Sequence, residues 1–161
     1  MSVHNADARE LSFLEPASFD LIITSPPYAN TYDYYLYHKF RKRWLDINVA
    51  FAQYNEIGSR REFSSLKKQP QKWIADLEKC LAEMVRVLKP HKPAFIVIGD
   101  SVIQKKHLKM NEIIADLAPR VGFRVCDIVS SDLATHSKLF NPAFTQRGKK
   151  EHLIYLEKSD R

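Results

Sequence analysis

The chain has 161 residues, of which 45% are hydrophobic and 27% charged, and its formal net charge at neutral pH is +6. These proportions are typical of one ordinary globular domain and exclude a collagen-like or low-complexity chain. No apolar run is long enough to span a membrane and no signal-peptide pattern opens the chain, so we expect a cytoplasmic protein. The cysteines, Cys80 and Cys126, have no CxxC spacing and the six histidines show no ligand spacing, which predicts reduced thiols and no metal.

The positive charge is clustered along the sequence, which suits a polyanionic partner. The clusters are residues 39–43, 60–61, 67–68, 105–109 and 147–150. For any single cluster, an ordinary solvated surface accounts for the charge equally well.

The first informative stretch is residues 19–28. A short strand is predicted at residues 2–5, and then an unalternating apolar run at 19–24 predicts a strand buried on both faces, as in a parallel sheet. Pro26 and Pro27 fix the backbone and remove two amide donors, so this strand ends at Ser25. The rigid turn presents a hydroxyl, carbonyls and the Tyr28 ring at the carboxyl end of a strand, where open α/β sheets bind ligands. The structural alternative is a plain Pro-Pro turn with Tyr28 in the core.

The next stretch, residues 29–69, predicts one helix and one long loop. The helix spans 29–45 and is capped by Asn30 or Thr31. Four residues recur on it at helical spacing, which favours a place in the core: Leu36, Tyr37, Phe40 and Trp44. Residues 46–69 are polar and show no periodicity, so they are predicted to be a loop that faces nucleic acid.

The rest of the chain alternates helices and strands. An amphipathic helix at 73–88 is followed by a strand at 93–100, and a helix from 111 contains Pro119 near its end and is capped by Gly122. A strand at 123–131 follows. After a loop at 132–151, the short alternating segment at 152–157 is predicted to be an antiparallel edge strand.

The Ser-Pro-Pro-Tyr sequence after an apolar strand resembles the catalytic motif of the S-adenosylmethionine-dependent DNA amino-methyltransferases. These enzymes methylate the exocyclic nitrogen of cytosine (N4) or adenine (N6), and the Ser form of the motif favours N4-cytosine. The resemblance implies an α/β fold, the C-terminal half of a Rossmann-like methyltransferase sheet with strands 4-5-7-6 and flanking helices. Strands 1 and 2 of that sheet are absent. The implied catalytic residues are Ser25, Pro26, Pro27 and Tyr28.

The chemistry of methyl transfer explains these residue types. The lone pair of an exocyclic amine is delocalised into the ring, so the amine is a poor nucleophile. Hydrogen bonds accepted from it by Ser25 and by the carbonyl of Pro26 favour tetrahedral nitrogen and free the lone pair. Tyr28 would stack on a base flipped out of the duplex.

The resemblance also implies residues that bind the cofactor and DNA. Residues 5–11 fit the pattern that precedes the catalytic strand in this family, which places Asp7 and Ala8, together with Ser25, at S-adenosyl-L-methionine. A turn or helix cap is the structural alternative for Asp7. The residues expected to contact DNA are Tyr32, Tyr34, Lys39, Arg41, Arg60, Arg61, Arg147 and Lys149.

Part of the family pattern is missing. The four glycines, at 58, 99, 122 and 148, cannot form a glycine-rich cofactor turn because no two of them are two residues apart. We therefore expect a single partial methyltransferase domain over 1–161. Its parts are the end of the cofactor half (1–18), the catalytic strand, turn and helix (19–45), the loop (46–69) and the remaining sheet and helices (70–161).

Such a domain is one part of a split enzyme, a fragment, or an inactive remnant. We expect it to need a second polypeptide that carries the glycine-rich turn, or to self-associate through the strand at 20–24. Two other functions remain open. One is a noncatalytic nucleic-acid-binding or scaffold subunit, and the other is methylation of an amino group in RNA or protein.

Overall fold

The computed structural model describes residues 2–31, 34–132 and 148–160. The helices are α1 (Tyr34–Trp44), α2 (Val49–Asn55), α3 (Arg60–Ser64), α4 (Gln71–Val87) and α5 (Met110–Val121). The strands are β1 (Ile22–Thr24), β2 (Pro93–Gly99), β3 (Ser101–Ile103), β4 (Lys106–Leu108), β5 (Phe123–Asp132) and β6 (Lys150–Lys158).

Four of these strands form one mixed sheet in the order β1-β2-β6-β5. β1 runs parallel to β2, and β6 runs antiparallel to both β2 and β5. This order confirms the α/β fold with strands 4-5-7-6. The expectation that residues 152–157 form an edge strand was wrong, because β6 lies between two strands. An alternating pattern of apolar and polar residues shows that one face of a strand is buried and the other exposed. It does not show whether the strand lies at the edge or in the middle of the sheet.

The strand that leads to the Ser-Pro-Pro-Tyr turn is an edge of the described sheet. β1 pairs with β2 alone among the described strands and ends at Thr24, just before Ser25, as predicted. Leu21 is 46% exposed and Ile23 is 72% exposed. The prediction of a strand buried on both faces is therefore wrong, because the face that carries Leu21 and Ile23 is exposed. In addition, nothing in the described residues pairs with the outer edge of β1.

The core is built by α4 and α5 against β2 and β6. On α4, the side chains of Trp73, Leu77 and Leu81 recur every four residues and all three are buried. Because this spacing keeps them on one helix face, a single stripe supplies the contact with the sheet. Gly122 ends α5 in the left-handed conformation with φ at 107°, as predicted for a helix C-cap.

Three local features differ from the sequence-based predictions. Residues 2–5 form no strand, and the predicted loop at 46–69 contains the short helices α2 and α3. β3 and β4 form a hairpin that was not predicted. Its turn has positive φ at Gln104 and Lys105, where such turns usually carry Asn or Gly, so the sequence has no turn signal there. Helices of five and seven residues are too short to show a periodicity.

α1 differs most from its prediction. It begins at Tyr34, and Asn30 does not cap it but lies buried before it with φ at 58°. The aromatic positions predicted as core are exposed, including Phe40 at 66% and Trp44 at 92%, and Leu36 and Tyr37 are exposed as well. Helical periodicity shows that residues share a face, but not that another element covers it. No helix in the described part of the chain has the length and hydropathy needed to cross a membrane.

Candidate active site

Hydrogen bonds of the buried residue Asn30 hold the Ser-Pro-Pro-Tyr turn in place on its C-terminal side. The backbone N–H of Asn30 donates to the Gly58 carbonyl at 3.1 Å, and its side-chain amide donates to the Val102 carbonyl at 2.6 Å. The Asn30 side-chain oxygen accepts a hydrogen bond from the Ser64 hydroxyl at 3.0 Å. These three bonds tie the turn to α3, to the loop before it and to the β3–β4 hairpin. The turn is therefore fixed by elements distant in sequence.

Tyr28 is anchored at both its ring and its hydroxyl. The hydroxyl donates to Oε1 of Glu151 on β6 at 2.8 Å. The ring lies so close to Gly99 that a Cβ added there would be 2.8 Å from Cε2 of the ring. Burial raises the pKa of Tyr28 to about 12; a hydrogen-bonding interaction with Ser25 opposes the rise, and Glu151 adds to it. The phenol is therefore protonated at neutral pH.

A cavity of about 490 Å³ opens beside the turn. Ser25, Pro26 and Pro27 line it together with Ala8, so the structure brings together residues predicted separately as catalytic and as cofactor-binding. Most of its wall is apolar and comes from the N-terminal segment, the open edge of β1 and one face of α4, with Leu11, Leu14, Leu21, Ile23, Leu77 and Met84 as examples. This volume is within the range of small-molecule sites.

The predicted cofactor residue Asp7 lies in an ion-pair network. Its carboxylate accepts hydrogen bonds from the backbone N–H of Arg9 at 2.9 Å and from Nη2 of Arg9 at 2.6 Å. Arg9 also contacts the buried carboxylate of Asp76 on α4 at 3.2 Å. The Arg9 hydrogen bond holds the pKa of Asp7 below its usual value. Of the predicted pair, Ala8 lines the cavity, while the Asp7 carboxylate is engaged by Arg9.

The predicted DNA-contacting residues that the structure describes lie on two helices and directly before β6. Tyr34, Lys39 and Arg41 are on α1, and Arg60 and Arg61 are on α3. A groove of about 520 Å³ between these helices is lined by both arginines and by aromatic residues of α1. Lys149 precedes β6, and burial lowers its pKa. Tyr32 and Arg147 lie outside the described residues.

Sequence reasoning missed a buried carboxylate at the end of β2. Asp100 is 3% exposed and accepts four hydrogen bonds. The donors are His152 Nε2 at 3.0 Å, His107 Nε2 at 2.9 Å, and the backbone N–H groups of Met110 at 2.9 Å and Lys150 at 3.0 Å. The only signal in the sequence was an aspartate directly after a strand. This carboxylate joins the hairpin, α5 and β6 to the strand next to β1.

The metal-binding side-chain types and the two thiols were also compared with the sequence-based predictions. In the parts of the chain that the structure describes, no group of three or more His, Cys, Asp or Glu side chains is placed to hold a metal ion. Both cysteines are free and half-buried. Cys80 lines the cavity, and burial raises its pKa to about 11, so its thiol is protonated at neutral pH.

β1 and β2 form a parallel pair that is continued by two antiparallel strands, and Ser-Pro-Pro-Tyr closes the carboxyl end of β1. This arrangement is half of a methyltransferase-type sheet. The solved structures agree on this fold. A candidate DNA modification methylase of Thermus thermophilus, TTHA0409, is 19% identical with a TM-score of 0.57; the match covers 97% of this chain and 53% of that one. Its complex with S-adenosyl-L-methionine is 20% identical with a TM-score of 0.57, covering 96% and 52%.

A SAM-dependent methyltransferase of Methanosarcina mazei is 14% identical over 96% of this chain and 65% of that one, with a TM-score of 0.47, too low to carry an argument. No curated protein matches the chain in sequence. The family model for DNA methylases (N6_N4_Mtase) matches residues 19–155, and the chain belongs to this family. It spans about half the length of the TTHA0409 chain.

Proposed function

We propose that this chain is the catalytic part of an S-adenosylmethionine-dependent DNA amino-methyltransferase, acting in the cytoplasm on a flipped base. The observation that carries the proposal is the Ser-Pro-Pro-Tyr turn at the carboxyl end of β1, at the wall of a cavity of about 490 Å³. The family membership of residues 19–155 supports it. The Ser form of the motif favours N4 of cytosine over N6 of adenine.

The residues of the turn supply the positioning that this chemistry needs. The hydroxyl of Ser25, which is exposed, and the carbonyl of Pro26 accept hydrogen bonds from the two N–H groups of the target amine. These bonds hold the nitrogen lone pair in line with the methyl group, which the cofactor supplies when bound. The Tyr28 ring provides a stacking surface for the base.

The cavity fits the adenine end of the cofactor better than its charged amino-acid end. Its apolar wall suits a purine ring, and Ala8 and Ser25 lie on the same wall. The chain has no glycine-rich turn to approach the charged amino-acid end, because no two of its four glycines are two residues apart. We propose that the isolated chain binds S-adenosylmethionine weakly or not at all, and calorimetry that gave a tight one-to-one complex would contradict this.

We further propose that the working enzyme contains a second polypeptide that carries the glycine-rich turn. Two observations support it: the outer edge of β1 is open in the described part of the chain, beside the exposed Leu21 and Ile23, and the chain spans about half of TTHA0409. An open apolar edge strand favours pairing with another chain. Self-association through residues 20–24 is the alternative, and sedimentation of the chain alone distinguishes the two. A stable monomer whose β1 amides resist hydrogen exchange would contradict both.

DNA binding is assigned to the basic and aromatic residues of α1 and α3. The helix α1 contains Lys39, Arg41, Lys42 and Arg43 and no acidic residue. Alternating cations and exposed aromatic rings are typical of surfaces that contact phosphates and unstacked bases. Lys39→Ala with Arg41→Ala is expected to reduce both the affinity for DNA and the salt dependence of binding, by about one unit of slope for each phosphate that is no longer neutralised. Substitution of Lys79 on α4 serves as the charge control.

The decisive experiment is transfer of a labelled methyl group to two duplexes, one built only of A·T pairs and one only of G·C pairs. The methylated nucleoside is then identified after digestion. In the reconstituted enzyme, Ser25→Ala is expected to lower turnover by orders of magnitude while DNA affinity changes little. Ser12→Ala, in the exposed N-terminal segment, is the matched control. Unchanged turnover in the Ser25 variant would remove the active-site assignment. No labelled product in any reconstitution would favour a noncatalytic scaffold, and product on RNA or protein alone would change the substrate.

A further inference from the structure

The hydroxyl of Tyr28 reaches across one strand to the next. Gly99 on β2 and Glu151 on β6 are paired residues in the sheet register. Since Gly99 has no side chain, the Tyr28 ring passes over it, and the hydroxyl meets the Glu151 carboxylate at 2.8 Å. A Cβ on Gly99 would lie 2.8 Å from Cε2 and 3.1 Å from Cδ2 of the ring. Gly99 has no positive φ, so what it contributes is space for the ring rather than a special backbone conformation.

The far end of this contact lies on a strand that is paired on both sides. The backbone of Glu151 pairs with Gly99 on one side and with Ser131 on the other. The next residue along β6, His152, is buried and hydrogen-bonded to Asp100 at 3.0 Å. The backbone that carries the Glu151 side chain is therefore held in place by its neighbours. Glu151 therefore holds the phenol in place instead of following its movements.

The chemical identity of Glu151 also sets the direction of this hydrogen bond. The Tyr28 hydroxyl donates and a carboxylate oxygen of Glu151 accepts at 2.8 Å. The bond therefore needs an acceptor oxygen at position 151, which Glu and Gln supply and Ala does not.

We propose that Glu151 is a positioning residue that anchors the Tyr28 ring over Gly99 as the platform for the target base. This inference rests on the proposed function and assigns a role to a residue that lies 123 positions from Tyr28 in the chain.

The first experiment reads the anchor directly and requires no activity. The chain is labelled with ¹³C at the tyrosine Cζ, and the Tyr28 signal is assigned by its loss in Tyr28→Phe. At neutral pH, Glu151→Ala is expected to shift this signal, and Glu151→Gln, which keeps an acceptor oxygen, is expected to restore most of it. The control is Glu157→Ala, which removes a carboxylate of β6 whose partner is Arg124 on β5. A Tyr28 signal unchanged in Glu151→Ala would overturn the proposal.

The second experiment reads the platform. The chain is titrated against a duplex that carries 2-aminopurine at an unpaired position, and stacking is followed by quenching of its fluorescence. Glu151→Ala and Tyr28→Phe are each expected to weaken stacking-linked binding about tenfold, the size of effect expected when a hydrogen bond to a charged group is removed. Because both variants remove the same bond, the double variant is expected to be no weaker than either single one. Gly99→Ala is expected to weaken stacking as well, since the added Cβ displaces the ring.

The two experiments separate this inference from the proposed function. If Glu151→Ala stacks and transfers methyl groups as well as Glu157→Ala, the positioning role is wrong although the enzyme is a methyltransferase. If the wild-type chain shows the Tyr28 anchor but neither quenches 2-aminopurine nor transfers a methyl group with any partner, the proposed function and the positioning role both fail.

Discussion

Replacement of Asp100 by asparagine tests the buried carboxylate beside the candidate site. Each carboxylate oxygen accepts two hydrogen bonds: Oδ1 from Met110 N–H and His152, and Oδ2 from His107 and Lys150 N–H. In Asp100→Asn one oxygen becomes an NH2 group, which places donors against donors. A histidine can move its ring proton to the other nitrogen, but a backbone N–H cannot change. Whichever way the amide points, one backbone donor loses its acceptor.

The expected cost follows from this count. A buried donor left unpaired costs about 1–3 kcal/mol, and the remaining bonds lose the strength that a charged acceptor gives them. We expect the free energy of unfolding to fall by about 2–4 kcal/mol, which for a chain of this size lowers Tm by roughly 5–12 °C.

Urea denaturation at neutral pH, followed by circular dichroism, measures the change. Asp116→Asn is the matched control, because Asp116 is an exposed residue of the neighbouring helix α5 that pairs with Arg120, and surface pairs contribute little. If Asp100→Asn unfolds within 0.5 kcal/mol of the wild type (roughly the effect of an ordinary surface substitution), the buried acceptor role is wrong.

Three further results are expected. Burial raises the pKa of Asp100, but its hydrogen bonds lower it more, so its folded-state pKa lies below its unfolded value. Its contribution to stability is therefore present above about pH 4 and is lost as the pH falls through the folded pKa. In acid titrations of unfolding, the stability of Asp100→Asn should fall less steeply with pH than that of the wild type. Gly58→Ala should destabilise the chain in thermal melts by more than about 1 kcal/mol, because φ is 75° and the new Cβ would lie 2.9 Å from Trp73; an unchanged Tm would contradict this. Ile23→Lys should reduce self-association in sedimentation without loss of helix signal, because it places a charge on the open edge; an unaltered sedimentation coefficient of an associated chain would show that another surface is used.

The sequence was sufficient for the features that depend on local signals. The apolar run before Pro26 located β1, and the stripe that includes Trp73 located α4. The strand order could be predicted through the motif, because the family relation connects a four-residue turn to a whole sheet. These are cases in which local chemistry and the tertiary structure agree.

The sequence was insufficient where burial depends on distant partners. Phe40 and Trp44 have the spacing of core residues but lie exposed. The Glu151 contact joins residues 123 positions apart, and nothing near Tyr28 in the chain indicates it. Long-range contacts of this kind follow from the register of the sheet, which periodicity does not give.

The hydrogen bonds of Asn30 have a consequence for the timing of assembly. Because the amide is held by Gly58, Val102 and Ser64 within this chain, the turn reaches its final conformation when the chain folds. The second polypeptide proposed above would then meet a turn that is already ordered within this chain. At this turn, association would resemble the docking of rigid bodies, with little change in backbone between the free and bound forms. Weakening Asn30 would turn the same encounter into coupled folding and binding, and a slower on-rate would be its signature.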